Sequence, residues 1–462
     1  MADHQEGKVY DLAIVGAGIL GCALAVAFGN QGRSVLLIER DLSEPNRIVG
    51  ELLQPGGVQA LEKLGMKDCL EGIDAIPVYG YECIYHGQRV NIPYLQQENG
   101  KRYEGRSFHH GKFIMKLREA ARKTKGVTII EATAKDLIRS KSDQVLGVLA
   151  SPKSAAKGAP PNEYFAHLTV SADGYASNFR KHIVTRKAEV RSTFVGLELK
   201  DIVLPAPNHG HVIMGNNPPV LLYQIGTHDT RALIDMPRLP PQGQLREYLL
   251  DVVLPDLPEN IRPAFKKAVE GERLPSMPNS FLPATTNNHP GFILLGDAMN
   301  MRHPLTGGGM TVAFNDVVLI SQLLSPANIP NLSDTNLVLE QMRLFHWDRK
   351  NLSSVVNILA QALYSLFAAN DDKLRVLQRG CFQYFQRGGE CIDGPVGLLS
   401  GITKKPMTLF YHFFSVALYS IRIMFASVTP VLGWPMALVN AVLVFWKACV
   451  VIFPYIFAEM FT

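Results

Sequence analysis

The residues best placed to do chemistry are glycines and acids spaced to hold a dinucleotide. Gly16, Gly18 and Gly21 form a G-x-G-x-x-G run directly after the apolar stretch 10–15, and Glu39 closes a second apolar stretch. Gly16 permits a tight bend, Gly18 lets backbone amides approach a pyrophosphate, and Gly21 lets the next helix pack close to its strand. The N-terminus of that helix offers free N–H groups and a positive dipole end to phosphates. Glu39 stands where a carboxylate accepts both hydroxyls of a ribose, and an acid there disfavours a 2′-phosphate. The site therefore suits FAD or NAD rather than NADP. Near residue 300, Gly296-Asp297 precedes Gly307-Gly308-Gly309-Met310, which opens a helix over 311–324. An aspartate there can bind a ribityl hydroxyl. The glycine amides can face the pyrimidine edge of a flavin, where negative charge gathers on reduction. Ala172-Asp173-Gly174, followed by Ser177 and Arg180, lies between the two. Alone, each later motif reads equally as an ordinary turn. In this order, the three describe one extended cofactor, FAD, and so redox chemistry.

Positioning these residues takes a βαβ unit over 9–40, helices over 58–70, 112–125, 307–324 and 336–370, and strands over 127–132, 145–150 and 167–172. Residues 151–161 read as an exposed loop, and 186–284 as a proline-rich, mostly β insertion. The predicted fold is α/β (α+β overall). A Rossmann-like FAD-binding domain takes 1–80, 105–185 and 285–330. A mainly β substrate domain takes 81–104 and 186–284, and a helical region takes 331–462. That many residues bury more than one core.

Composition narrows the function. Of the 462 residues, 47 % are hydrophobic and 19 % charged, and the net charge is +5 with no long basic run. Nucleic acid is not an expected partner; an anionic membrane face is compatible. Six cysteines without a CxxC pair indicate neither zinc nor a disulfide framework, and fit a reducing, cytosol-facing location. No metal is expected: His109-His110 and His209-Gly-His211 lack supporting ligands. The stretch 105–112 imitates a phosphate loop but has one residue too many and no following Ser or Thr, and no GxSxG elbow occurs. The first nine residues are polar, so no secretory signal or amino-terminal anchor is expected. From about 407 onward only Arg422, Lys447 and Glu459 are charged. The uninterrupted apolar runs fall short of the ~20 residues a spanning helix needs, and Pro430, Pro435 and Pro454 break them further. Helices embedded in one leaflet are expected. A buried helical core element and a spanning hairpin over 407–428 and 436–458 are the alternatives.

The three cofactor motifs together resemble the flavoprotein monooxygenases. Longer strings are similar to the squalene monooxygenase (squalene epoxidase) family: 39–57, with Arg47, Glu51 and Gln54-Pro-Gly-Gly; 108–115; 300–314, with Arg-His-Pro-Leu-Thr before the three glycines; 356–363; and 388–398. The resemblance spans nearly the whole chain. It implies FAD contacts from Ile19, Leu20, Glu39, Arg40, Arg47, Arg118, Ala134, Asp297 and Met310, beside the Gly308 already read from the glycine run. It also implies a hydrogen bond between Tyr81 and Gln54 beside the flavin, with Tyr81 shaping the reaction centre, and a lipid pocket lined by Phe367, Phe382 and Leu398. By composition those last three are ordinary core. The implied reaction is epoxidation of squalene with O₂. Electrons would come from NADPH through a membrane flavoprotein reductase, because FAD claims the one dinucleotide fingerprint. The implied location is the cytosolic face of the endoplasmic reticulum membrane or a lipid droplet, in contact with membrane lipid. Another FAD-dependent hydroxylase, a prenyl-lipid reductase and a non-enzymatic prenyl-protein escort are the competing readings.

Overall fold

The computed structural model describes residues 7–461 apart from 157, 216, 272 and 427–432. The strand Val9–Val15 lies between Val35–Glu39 and Asn162–Ser171, parallel to both. Val127–Arg139 extends the sheet beyond Val35–Glu39, and Phe292–Leu294 extends it beyond Asn162–Ser171, again in parallel. The far half of Val127–Arg139 turns back against Val145–Pro152, which in turn pairs with the start of Asn162–Ser171. Parallel strands are covered on both faces and so carry continuous apolar runs. Leu12, Ala13, Ile14, Val35, Leu36 and Leu37 are accordingly sealed from solvent. The helix Ile19–Asn30 is apolar nearly all round because it is enclosed, packing against His110–Lys123 and Gly309–Leu323.

A second sheet has seven strands in the spatial order Ser276–Phe281, Glu189–Lys200, Asp229–Met236, Val220–Gln224, Gly210–Met214, Gly80–Tyr85 and Gln88–Pro93. Only the Gly80–Tyr85 and Gly210–Met214 pair is parallel. One face packs on Arg262–Gly271 and neighbouring short helical turns, through Val195, Leu197, Ile234, Phe265 and Val269. The opposite face packs on the helices after residue 335, through Tyr81, Cys83, Phe367 and Phe382. Side chains alternate along a strand, so Tyr81 and Cys83 share this inner face. A small third sheet joins Leu52–Leu53 to Gly105–Ser107 and on to Ile76–Val78. Gln54 follows its first strand directly and reaches Tyr81 on the second sheet.

Two expectations need correction. The helix predicted over 58–70 is Pro55–Lys63 followed by a separate 3₁₀ turn, Lys67–Leu70. Gly65, at φ +70°, makes the break, a conformation that L side chains resist. The apolar segment after 407 is not broken into short runs. It forms helices Pro406–Ala426 and Trp434–Met460, of 21 and 27 residues. Pro435 sits in the first turn, where a missing N–H costs nothing, and Pro454 is accommodated inside the helix. Lys447 does not interrupt it either, because its ammonium reaches Asp371 at 2.6 Å. Pro430 and residues 427–428 of the hairpin alternative lie outside the described residues. Among the described residues three helices, these two and Thr335–Ala368, are long and apolar enough to cross a membrane.

Candidate functional site

The glycine loop is a tight backbone knot. Gly16 has φ +103°, and a Cβ there would lie 2.6 Å from the carbonyl oxygen of Ala172. A Cβ on Gly21 would lie 1.8 Å from the Gly16 carbonyl oxygen, so the helix can approach the strand only without one. Gly18 differs: a Cβ there would meet nothing within 4 Å. No side chain caps the Ile19–Asn30 helix that starts beside it. Glu39 accepts from the Ala17 amide at 2.8 Å and from Asp41 N–H at 3.2 Å. Arg118 is buried and donates to the Ala17 carbonyl at 3.0 Å and the Ser43 carbonyl at 2.9 Å, bracing the loop from behind. Arg40 is exposed, and Ala134 is half-buried on the long strand Val127–Arg139.

Asp297 comes to the same place. A Cβ on Gly296 would sit 3.3 Å from the Leu20 side chain. Arg180 ties the middle motif to this one, donating to the carbonyls of Asp297, Ala298, Gly174 and Tyr175. Asp173, by contrast, caps its own turn by accepting from the Asn178 amide at 3.1 Å. The Asp297 side chain opens onto solvent-accessible space. Desolvation by the surrounding protein nevertheless raises its carboxyl pKa, against the opposing pull of Arg302, Arg47 and Arg180. A carboxylate that is both reachable and crowded lines a crevice rather than a convex surface. Gly307, in the left-handed region at φ +61°, turns the chain into Gly308 and the helix Gly309–Leu323, which has no side-chain cap. A Cβ on Gly309 also meets open space, whereas one on Gly308 would strike Val356. Met310 is buried in the first turn. Two uncapped helix starts, each beside a glycine facing open space, with an acid at each end, fit an extended dinucleotide.

Gln54 is the node between this crevice and the apolar interior. Its side-chain amide donates to the Tyr81 hydroxyl and, at 2.7 Å, to the Thr306 carbonyl, one residue before Gly307. Its side-chain oxygen accepts from the Tyr94 hydroxyl at 2.6 Å. Gln54 starts the helix Pro55–Lys63, and Gly56 behind it packs against Gly401, where a Cβ would lie 2.6 Å from the carbonyl oxygen. The Tyr81 and Tyr94 rings meet edge to face at 5.8 Å. Burial pushes the Tyr81 phenol up to about 12 and the Tyr94 phenol well above its usual range, so both stay neutral. Tyr94 and Thr306 escaped sequence reasoning. The hairpin that turns at His86-Gly87 holds the signal for Tyr94, since its register pairs Gly80 with Pro93.

Phe367 and Phe382 lie in the same buried cluster as Tyr81 and Tyr94, with Phe382 5.3 Å from the Tyr85 ring. Leu398 belongs to an adjoining cluster with Leu409 and Ile452; the half-buried Leu363, Leu399 and Phe413 touch both. Arg47, whose charge acts on Asp297, also lines a cavity of about 310 Å³ with Glu44, Glu51, His109, Glu198 and Arg231. That lining is polar, and Glu51 and Arg231 form a buried bidentate pair at 2.8 Å.

The family model for squalene epoxidase matches residues 165–439. The chain is also 57 % identical to the squalene epoxidase of Aspergillus fumigatus over 98 % of its own length and 94 % of that protein. The chain belongs to the squalene epoxidase family. Within this family, it is 46 % identical to the squalene monooxygenase of Mus musculus, covering 97 % of this chain and 78 % of the mouse protein. Among solved structures, p-nitrophenol 4-monooxygenase from Pseudomonas putida superimposes with a TM-score of 0.68 at 16 % identity, over 87 % of this chain and 98 % of that one. A flavin-dependent brominase does so with a TM-score of 0.67 at 15 % identity, over 90 % of this chain and all of the other. At those identities the likeness is one of fold.

Proposed function

We propose that this squalene epoxidase family member is an FAD-dependent monooxygenase that converts squalene and O₂ to 2,3-epoxysqualene in sterol biosynthesis. The observation that carries the reading is the Gln54 node. It ties the glycine turn 306–309, on the cofactor side, to Tyr81 within an apolar cluster. FAD, when bound, supplies the activation of O₂ and the electrophilic oxygen. Gly16, Gly18, Ile19, Leu20 and Gly21 would hold its pyrophosphate, and Glu39, Arg40, Arg118 and Ala134 its adenosine half. Arg47, Asp297, Gly308 and Met310 would hold its flavin half. In the division we propose, 1–80, 105–185 and 285–330 serve the cofactor, 81–104 and 186–284 the substrate, and 331–462 the substrate and the membrane.

An alkene needs no base to react with an electrophile, and the Tyr81 and Tyr94 phenols stay neutral. The chain's task is to hold the double bond and exclude water, which would otherwise divert the oxidant. Tyr81 and Gln54 fix the boundary between crevice and apolar interior. Phe367, Phe382 and Leu398 receive the hydrocarbon, whose burial contributes about 0.8 kcal/mol per CH₂-sized unit. The polar cavity at Arg47 has the wrong lining for squalene. Electrons come from NADPH through a membrane flavoprotein reductase, and the enzyme works at the endoplasmic reticulum membrane, where squalene dissolves. The test is a visible absorbance spectrum of the purified protein. Product analysis with squalene, O₂, NADPH and a reductase follows. A colourless protein that cannot be loaded with FAD, or a yellow one that leaves squalene intact, would overturn the reading.

A further inference from the structure

A buried carboxylate lies where helix energetics disfavour one. Glu459 sits in the last turn of Trp434–Met460, at the negative end of the helix dipole, yet is only 3 % exposed. The rest of that helix offers apolar residues on its outer side. The carboxylate faces inward and is satisfied there. Its Oε1 accepts from the Asn357 side-chain amide at 2.7 Å, and its Oε2 accepts from the Ser354 hydroxyl at 3.0 Å. Lys350 donates to its main-chain carbonyl at 2.5 Å, capping the helix end.

The bonds continue inward without a gap. Asn357 Oδ1 accepts from Arg302 Nε at 2.6 Å. Arg302 Nη2 donates to Asn300 Oδ1 at 2.7 Å and to the Asn300 carbonyl at 3.2 Å. The Asn300 amide donates to the Gly296 carbonyl at 2.9 Å, closing the turn that carries Asp297. Arg349, paired with Asp316 at 2.7 Å, also reaches Asn300 Oδ1 at 3.4 Å and joins the network to the Gly309–Leu323 helix. Glu459, Asn357, Arg302, Asn300, Arg349 and Asp316 are buried, and Ser354 and Lys350 are half-buried. Removing one partner from a buried polar network leaves another buried group unpaired, a cost that drives the remaining side chains to reorient.

We propose that Glu459 is a positioning residue for the cofactor crevice. It acts through Asn357 and Arg302 on the turn that holds Asp297, and so couples the seating of the Trp434–Met460 helix to the flavin. The proposal rests on the FAD reading above. Glu459 touches neither cofactor nor substrate; it fixes the rotamer of Asn357, which fixes the guanidinium that braces the turn.

The experiment uses the full chain in detergent micelles, titrated with FAD. Wild type, E459A and E459Q are followed by FAD affinity and by visible circular dichroism of the saturated protein. E459A is expected to weaken FAD binding about tenfold and alter the flavin dichroism, while E459Q, which keeps an acceptor for Asn357, stays within about threefold of wild type. Should E459A fail to fold, Asn357→Ser interrupts the same relay while leaving the residues of the last helix unchanged, and the same two changes are expected. A variant that only melts earlier, with wild-type FAD affinity and dichroism, overturns the proposal. A wild-type protein that takes up no FAD refutes the cofactor reading instead.

Discussion

Gln54 commits both its amide donors and its oxygen to Tyr81, Thr306 and Tyr94, so small changes there should register in turnover. Tyr81→Phe removes one hydrogen bond, worth about 1 kcal/mol net, while keeping the ring. The expected result is a fall in epoxidation of roughly fivefold to tenfold with FAD affinity nearly unchanged. Unaltered turnover would remove Tyr81 from the reaction centre. Acid stability follows from two buried histidines. Burial pushes His110 and His211 each down to about 4. Unfolded, each would titrate near 6.5, so between those values the unfolded chain binds more protons. This contribution is therefore intact above about pH 6.5 and is lost as pH falls toward 4, at about 1.4 kcal/mol per unit for each ring. Denaturant melts between pH 7 and 4.5 should show the decline, and His110→Asn should roughly halve its slope. The Tyr81–Gln54 contact was expected from family resemblance. Tyr94 was not, because composition does not distinguish it from other tyrosines and only the register of the hairpin turning at His86-Gly87 brings it opposite the start of the Tyr81 strand.

At the scale of elements, the glycine-led helix separates fold from ligand. Gly21→Ala forces a methyl into the Gly16 carbonyl and is expected to cost about 1–3 kcal/mol, read as a lower thermal midpoint. Gly18→Ala meets open space and φ there is −89°, so the fold should be unaffected. FAD affinity should nevertheless fall at least about tenfold, since the methyl occupies the approach to the pyrophosphate. Equal FAD affinity in Gly18→Ala and wild type would show that phosphate does not lie there. The βαβ unit and the glycine turn were legible because apolar period, glycine spacing and acid agree. The helix boundary near Lys63 was not, because the break depends on one glycine's φ rather than on composition.

For the molecule as a whole, the last two helices belong partly to the catalytic body. In Trp434–Met460 the buried residues Ala437, Ala441, Val444, Ala448 and Val451 recur every three or four positions. The opposite side exposes Leu438, Val442 and Trp446. So extended an apolar face is a membrane or partner surface. Replacing Leu438, Val442 and Trp446 together by Ser should weaken vesicle binding about tenfold or more while leaving flavin content intact. Binding that survives the triple change would place the membrane contact elsewhere. Cutting the chain near 405 is a poorer test, because it also removes Glu459 from its buried partners.

The sequence by itself determined the cofactor motifs, the alternation of strand and helix, and the apolar character of the last segment. These depend on spacing and composition within one stretch of chain. Only the tertiary structure decided that Gln54, Tyr81, Tyr94 and Thr306 meet, and that Glu459 reaches the Asp297 turn. Those contacts join residues tens to hundreds of positions apart. They exist because sheets and helices pack in one arrangement that buries their apolar faces and pairs most of the polar groups drawn in with them.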